Sequence, residues 1–111
     1  MKIATRELSA EKDGMPGYIA YPERAQRGPG LLIIHHHFGV TGHIKATACN
    51  LAELGYATLV PNLYTLLGFP DYHGVQDKTT DSRFVEVIDQ AWRYLLARKE
   101  VDGARVGVMG L

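Results

Sequence analysis

The run Val106-Gly107-Val108-Met109-Gly110-Leu111 reads as a short apolar strand that finishes on a glycine. Asp102-Gly103 ahead of it is a turn signal, which sets the strand at Arg105 to Met109. Upstream, Thr80 or Asp81 can cap a helix reaching about Lys99, with Phe84, Ile88, Ala91, Trp92 and Leu95 at helical spacing. Before it, Tyr56 to Val60 reads as a strand closed by Pro61. His43 to Leu54 reads as a helix with Ile44, Ala48, Leu51 and Ala52 on one face, stopped by Gly55. Leu31 to His36 reads as another buried strand behind Gly28-Pro29-Gly30. Strands alternating with helices in this way predict a parallel sheet with right-handed crossovers.

At the front, Lys2 to Leu8 and Met15 to Tyr21 flank Asp13-Gly14, a strong hairpin signal. The predicted fold class is therefore α/β: a β-hairpin followed by β-α-β-α-β, with a mostly parallel sheet. Glu23 to Gly30 reads as a surface loop. Asn62 to Thr80 reads as a long loop of the kind that often carries function.

Composition narrows the function classes. The 111 residues make one domain at most, and 46% apolar with 22% charged residues is ordinary for a globular chain. Twelve basic residues balance twelve acidic ones, so no basic face for nucleic acid is expected. The apolar run Leu31 to Ile34 is far too short to span a bilayer, and Met1 to Glu7 has no apolar signal core. The single cysteine, Cys49, excludes an intrachain disulfide and suits a reducing compartment. These features predict a soluble, cytoplasmic protein that binds neither nucleic acid nor membrane.

Three stretches, in this order, carry a family resemblance. Leu31-Leu32-Ile33-Ile34-His35-His36-His37-Phe38-Gly39-Val40, then His43-Ile44, resembles the third strand and oxyanion loop of the dienelactone hydrolase family. Gly55-Tyr56-Ala57-Thr58-Leu59-Val60-Pro61-Asn62-Leu63-Tyr64 resembles its next strand and Pro-Asp-Leu-Tyr-type exit, with Asn62 where the family usually has aspartate. Arg105 to Leu111 resembles the strand entering its nucleophile elbow, with Gly110 at the first small position and Leu111 after it. The resemblance implies an α/β-hydrolase fold, no cofactor, and a Cys-His-Asp triad that opens lactones or esters. It also implies that residues 1–111 are the N-terminal half of a single domain cut just before the nucleophile, so that all three triad members lie elsewhere. In that fold the third strand lies beside the fourth and fifth. Arg105 to Met109 would then form an apolar open edge, inviting self-association or a complementing C-terminal half.

The resemblance assigns candidate residues. His36 takes the position of the family glutamate that interacts with the resting nucleophile, and a histidine there could still abstract a thiol proton. The backbone N–H of His37 takes the place of an oxyanion donor, with Gly39 permitting close backbone approach. Phe38 and Tyr64 are pocket candidates, and Arg83 is the nearest candidate for a substrate carboxylate. Alternative readings of the same residues remain open. In a strand, His35 and His37 point to one face and His36 to the other, so the trio cannot chelate one ion from regular β structure, and no spaced ligand set completes a metal site. Gly39-Val40-Thr41-Gly42 lacks the glycine patterns of nucleotide loops. Cys49 reads as a small buried helix residue. A chain lacking its nucleophile can also act only as a binding or assembly module.

Overall fold

The computed structural model describes residues 2–24, 26–35, 38–69 and 81–110. Five strands form one sheet: β1 (Ile3–Leu8), β2 (Gly17–Pro22), β3 (Gly28–Ile34), β4 (Ala57–Pro61) and β5 (Val101–Gly110), in the order β1-β2-β4-β3-β5. Among the described residues the helices are α1 (Ala10–Asp13), α2 (Gly42–Glu53), α3 (Leu63–Leu67) and α4 (Asp81–Leu96). β3 pairs in parallel with β4 on one side and β5 on the other. β2 is antiparallel to both β1 and β4, so it alone runs against the rest.

Among the described residues, α2 packs on one face of the sheet and α4 on the other. Ile33 and Val60 meet Ile44, Ala48 and Ala52 of α2 on one side. Ile19, Leu32 and Leu59 meet Ala91 and Leu95 of α4 on the other. Alternate residues of β3 and β4 thus go to opposite cores, as the two-residue strand period requires. On α4 the fully buried line is Val87, Ala91 and Leu95. Phe84, Ile88 and Trp92, expected in the core, pack at its margins instead.

Three local readings are corrected. Asp13-Gly14 is not a two-residue hairpin turn. Ser9 accepts from the Lys12 amide and starts the helical turn α1, and Gly14 closes that turn with its N–H on the Ala10 carbonyl. The Asp13 carboxylate is drawn back to the Ser9 amide and the Arg6 guanidinium, which a tight hairpin would not allow. The Asp102-Gly103 turn is real but lies inside a strand. Val101 pairs with Gly28 and Val106 with Gly30, so residues 102–105 bulge out against Pro29 alone. The Asp102 carboxylate accepts from the Ala104 amide at 3.0 Å and from Arg105 at 3.0 Å, which together hold it below the usual carboxylate range. Finally, α4 ends at Leu96, not near Lys99, because the next amides tighten into a turn in which Arg98 N–H donates to the Leu95 carbonyl.

Among the described residues, β5 has one neighbour, β3, and its other edge is open. Val108 on it is 53% exposed. No described helix is long and apolar enough to cross a membrane.

Candidate active site

The parallel strands β3, β4 and β5 all finish at the same end of the sheet, where sheets of this kind hold their ligands. The chain leaves β3 at His35 and enters α2 at Gly42. It leaves β4 at Asn62 and immediately forms α3. These two exits meet.

His35 is the joint between them. It is only 7% exposed, and its Nε2 accepts a hydrogen bond from the Leu63 amide at 3.0 Å. An imidazole nitrogen accepts only when it carries no proton, so this contact specifies a neutral ring. The ring also meets Tyr64 edge-on, with centroids 4.9 Å apart and planes at 67°. Tyr64 is itself buried, at 8% exposure. A side-chain carbon built on Gly39 would sit 3.8 Å from the Tyr64 ring. Gly39 has φ +80°, a conformation open to glycine and strained for most residues. Thr41 then caps α2 by accepting from the Ile44 amide at 3.3 Å.

The candidate residues separate as follows. His36 and His37 lie outside the described residues. Phe38 is 73% exposed on the turn beside them in sequence. Gly39 and Tyr64 are brought together, with room for ordinary van der Waals contact between a side-chain carbon at Gly39 and the Tyr64 ring. Arg83 lies on the first turn of α4, where its guanidinium donates to Glu86 at 3.1 Å and to the Leu66 carbonyl at 3.2 Å. It thereby fastens α4 to the last turn of α3. Cys49 is half-buried on α2 with its sulfur 3.4 Å from the Tyr18 hydroxyl. Burial, followed by this contact, raises the Tyr18 phenol above its ordinary value. Among the described residues no three His, Cys, Asp or Glu side chains gather as a metal site would require.

Asn62 explains itself once α3 is seen. Its side-chain oxygen accepts from the Thr65 amide at 3.2 Å and starts the helix. Asparagine and aspartate serve this cap about equally well. Asn62→Asp should therefore leave the thermal midpoint within a degree or two, whereas Asn62→Ala should cost about 1 kcal/mol. Thermal melts of the two variants check this.

An open cleft of about 580 Å³ lies at this end of the sheet. It runs over the ends of β1 and β4 and the start of β2, lined by Glu7, Ser9, Glu11, Lys45, Asn62 and Thr65 among others. An ion pair between Lys45 and Glu7 joins α2 to β1 across it. The cleft touches the β3–α2 connection only at Val40 and contains none of Phe38, Gly39, Tyr64 and Arg83.

Sequence reasoning missed the role of His35 and the existence of α3. The signal for α3 was present: Asn62 followed by Leu63-Tyr64-Thr65-Leu66-Leu67 is a capped apolar turn hidden in a segment read as loop.

Comparison with known proteins agrees with this geometry. Residues 15–111 match the dienelactone hydrolase family. A crystal structure provisionally named as a dienelactone hydrolase, from Klebsiella pneumoniae subsp. pneumoniae MGH 78578, superposes with a TM-score of 0.83 at 28% identity, covering 100% of this chain and 50% of that one. A Methylorubrum extorquens protein that bears the provisional name carboxymethylenebutenolidase is 32% identical over 108 residues, 89% of this chain and 37% of its own length. A Bradyrhizobium protein provisionally named as a 2-oxo-3-(5-oxofuran-2-ylidene)propanoate lactonase is 25% identical over 110 residues, 94% of this chain and 44% of its own length. This chain thus spans half or less of each of these relatives. By its family match, its sheet order and its superposition, the chain belongs to the dienelactone hydrolase family.

Proposed function

We propose that the protein containing these residues hydrolyses a lactone or ester bond, and that residues 1–111 are the N-terminal part of one α/β-hydrolase domain. The observation that carries this reading is the family match over residues 15–111 on a sheet whose three parallel strands end together. In it, the His37 amide donates to the oxyanion of the tetrahedral intermediate. His36 holds the position from which a base can draw the proton of the nucleophile. On this reading Phe38, Gly39 and Tyr64 border the substrate, and Arg83 is the candidate partner of a substrate carboxylate. A Cys or Ser nucleophile, the acid and the catalytic histidine come from the part of the relatives that this chain does not span. No cofactor is required. The free thiol of Cys49 suits a cytoplasmic setting.

A second reading, a non-catalytic binding or assembly module, is favoured by one feature: the open β5 edge with Val108 exposed. On that reading the edge receives a second copy or a complementing half. Hydrolysis assays with p-nitrophenyl acetate and an unsaturated butenolide separate the two. We expect no turnover above buffer from the 111-residue chain. We expect turnover from a chimera that joins it to the C-terminal half of the Klebsiella relative. Turnover by the chain alone would refute the proposed division of residues. An inert but folded chimera would favour the module.

A further inference from the structure

We infer that a second cleft, at the opposite end of the sheet from the candidate active site, binds a small oxyanion, a phosphate or a carboxylate, on the guanidinium of Arg98. The inference stands apart from the hydrolase reading, because it uses none of the residues assigned to that site.

The cleft holds about 390 Å³ and is lined by Arg6, Tyr21, Ala97, Arg98, Lys99 and Glu100. Residues 97–100 lead into the start of β5, and Tyr21 lies near the end of β2, which runs antiparallel to β4. The cleft therefore sits where the parallel strands begin. Arg6 pairs with Ile19, two positions from Tyr21, so the side chains of Arg6 and Tyr21 share the sheet face that α4 covers. Three cations line the cleft against the single carboxylate of Glu100.

Arg98 is held before any ligand arrives. Its side chain is only 17% exposed. Nε donates to the Glu100 carboxylate at 2.7 Å, and Nη1 donates to the Tyr94 hydroxyl at 3.2 Å. The guanidinium carbon stands 5.6 Å from the centre of the Tyr21 ring and 5.9 Å from that of Tyr94. Among the described residues Nη2 has no hydrogen-bond partner. A largely buried N–H group without a protein partner calls for an acceptor from outside the chain. Charge selects an anion for that place. Glu100 matches the charge of Arg98 itself, so Lys99 and Arg6 supply the excess. Lys99 is exposed and makes no ion pair among the described residues. Arg6 gives one nitrogen to Asp13 at 2.6 Å and keeps its other N–H groups. An arginine that only neutralised Glu100 would be hindered by two more cations beside it, whereas an oxyanion turns their repulsion into attraction. A planar guanidinium also presents in-plane N–H groups that match the oxygens of a carboxylate or phosphate.

The test is a nuclear magnetic resonance titration of the 111-residue chain with inorganic phosphate, acetate and chloride at matched ionic strength. Phosphate or acetate should shift the Arg98 Nε–H and the Tyr21 and Lys99 amides to saturation, and chloride should not. Saturation by phosphate alone assigns the site to phosphate compounds. Saturation by acetate alone assigns it to carboxylates, the class that ester or lactone hydrolysis releases. Arg98→Lys keeps the charge but loses the planar fork, and should weaken the bound oxyanion at least fivefold. Lys99→Gln removes an exposed charge without touching the fold, and should weaken it at least twofold. The inference is overturned if neither oxyanion saturates these signals, if chloride shifts them equally, or if either variant binds as tightly as the parent. Should Arg98→Lys fail to give a cooperative melt, Lys99→Gln decides alone, and parental affinity in that variant overturns the inference.

Discussion

Replacing Gly17 with alanine should lower the thermal midpoint by on the order of 15 °C, a loss of roughly 3 kcal/mol or more. Gly17 opens β2 and pairs with Pro61 at the end of β4. Its φ is +146°, where a side chain is already strained by about 1–3 kcal/mol. An added Cβ would lie 2.2 Å from the Val60 carbonyl oxygen, 2.8 Å from the Pro61 Cα and 3.0 Å from the Asn62 nitrogen. All three obstacles are backbone, so no side chain can swing aside. Relief requires β2 and β4 to part at the end of the sheet where the site lies. That movement would also pull on the hydrogen bond from the Asn62 amide to the Pro16 carbonyl, at 2.8 Å, and so on the start of α3. Gly42→Ala is the control. There a Cβ meets no atom within 4 Å, and the midpoint should stay or rise slightly. Equal melts for the two variants would show that β2 and β4 are not packed as described.

The site depends on contacts of just this kind, which explains how it divides into what the sequence discloses and what it does not. The strands β3, β4 and β5 were readable because each is a short apolar run with its own stop signal, and the helices between them because their apolar residues recur at helical spacing. Local chemistry was enough. It misled at Asp13-Gly14, where an aspartate that looks like a turn residue instead folds back on Ser9 and Arg6. It fell silent at His35. Three consecutive histidines suggest a metal or a wet strand end. The use actually made of the first, as acceptor for an amide on another strand's exit, is encoded in no neighbouring residue. Likewise Tyr64 could be named as a pocket candidate from its place after β4, but its edge-on contact with His35 appears only once the two exits lie side by side. The family resemblance compensates by ordering the pieces. It does not supply the contacts between the pieces, such as the hydrogen bond from the Leu63 amide to His35.

Leu59→Ala carries the second large effect, and it probes the sheet from its centre. One in-register row crosses the sheet beneath α4: Ile19, Leu59, Leu32 and Val108 stand side by side on β2, β4, β3 and β5. The first three are fully buried, while Val108 at the end of the row is 53% exposed. Truncating Leu59 removes the side chain that both Ile19 and Leu32 pack against, and backbone pairing on each side keeps the strands from closing the gap. A cavity that cannot collapse costs most, so the loss should be roughly 3–5 kcal/mol, read by denaturant unfolding. A loss below about 1 kcal/mol would mean that this row is not the centre of the core. Val108→Ala in the same 111-residue chain should cost less than about 0.5 kcal/mol, because its side chain already faces solvent. In the chimera, where we propose that a further strand covers β5, the same substitution should cost about 1 kcal/mol or more. The difference between those two measurements reports directly whether the open edge of β5 has been closed. If Val108→Ala costs the same in both, nothing has docked on that edge, and the proposal that a C-terminal half completes this sheet loses its structural basis.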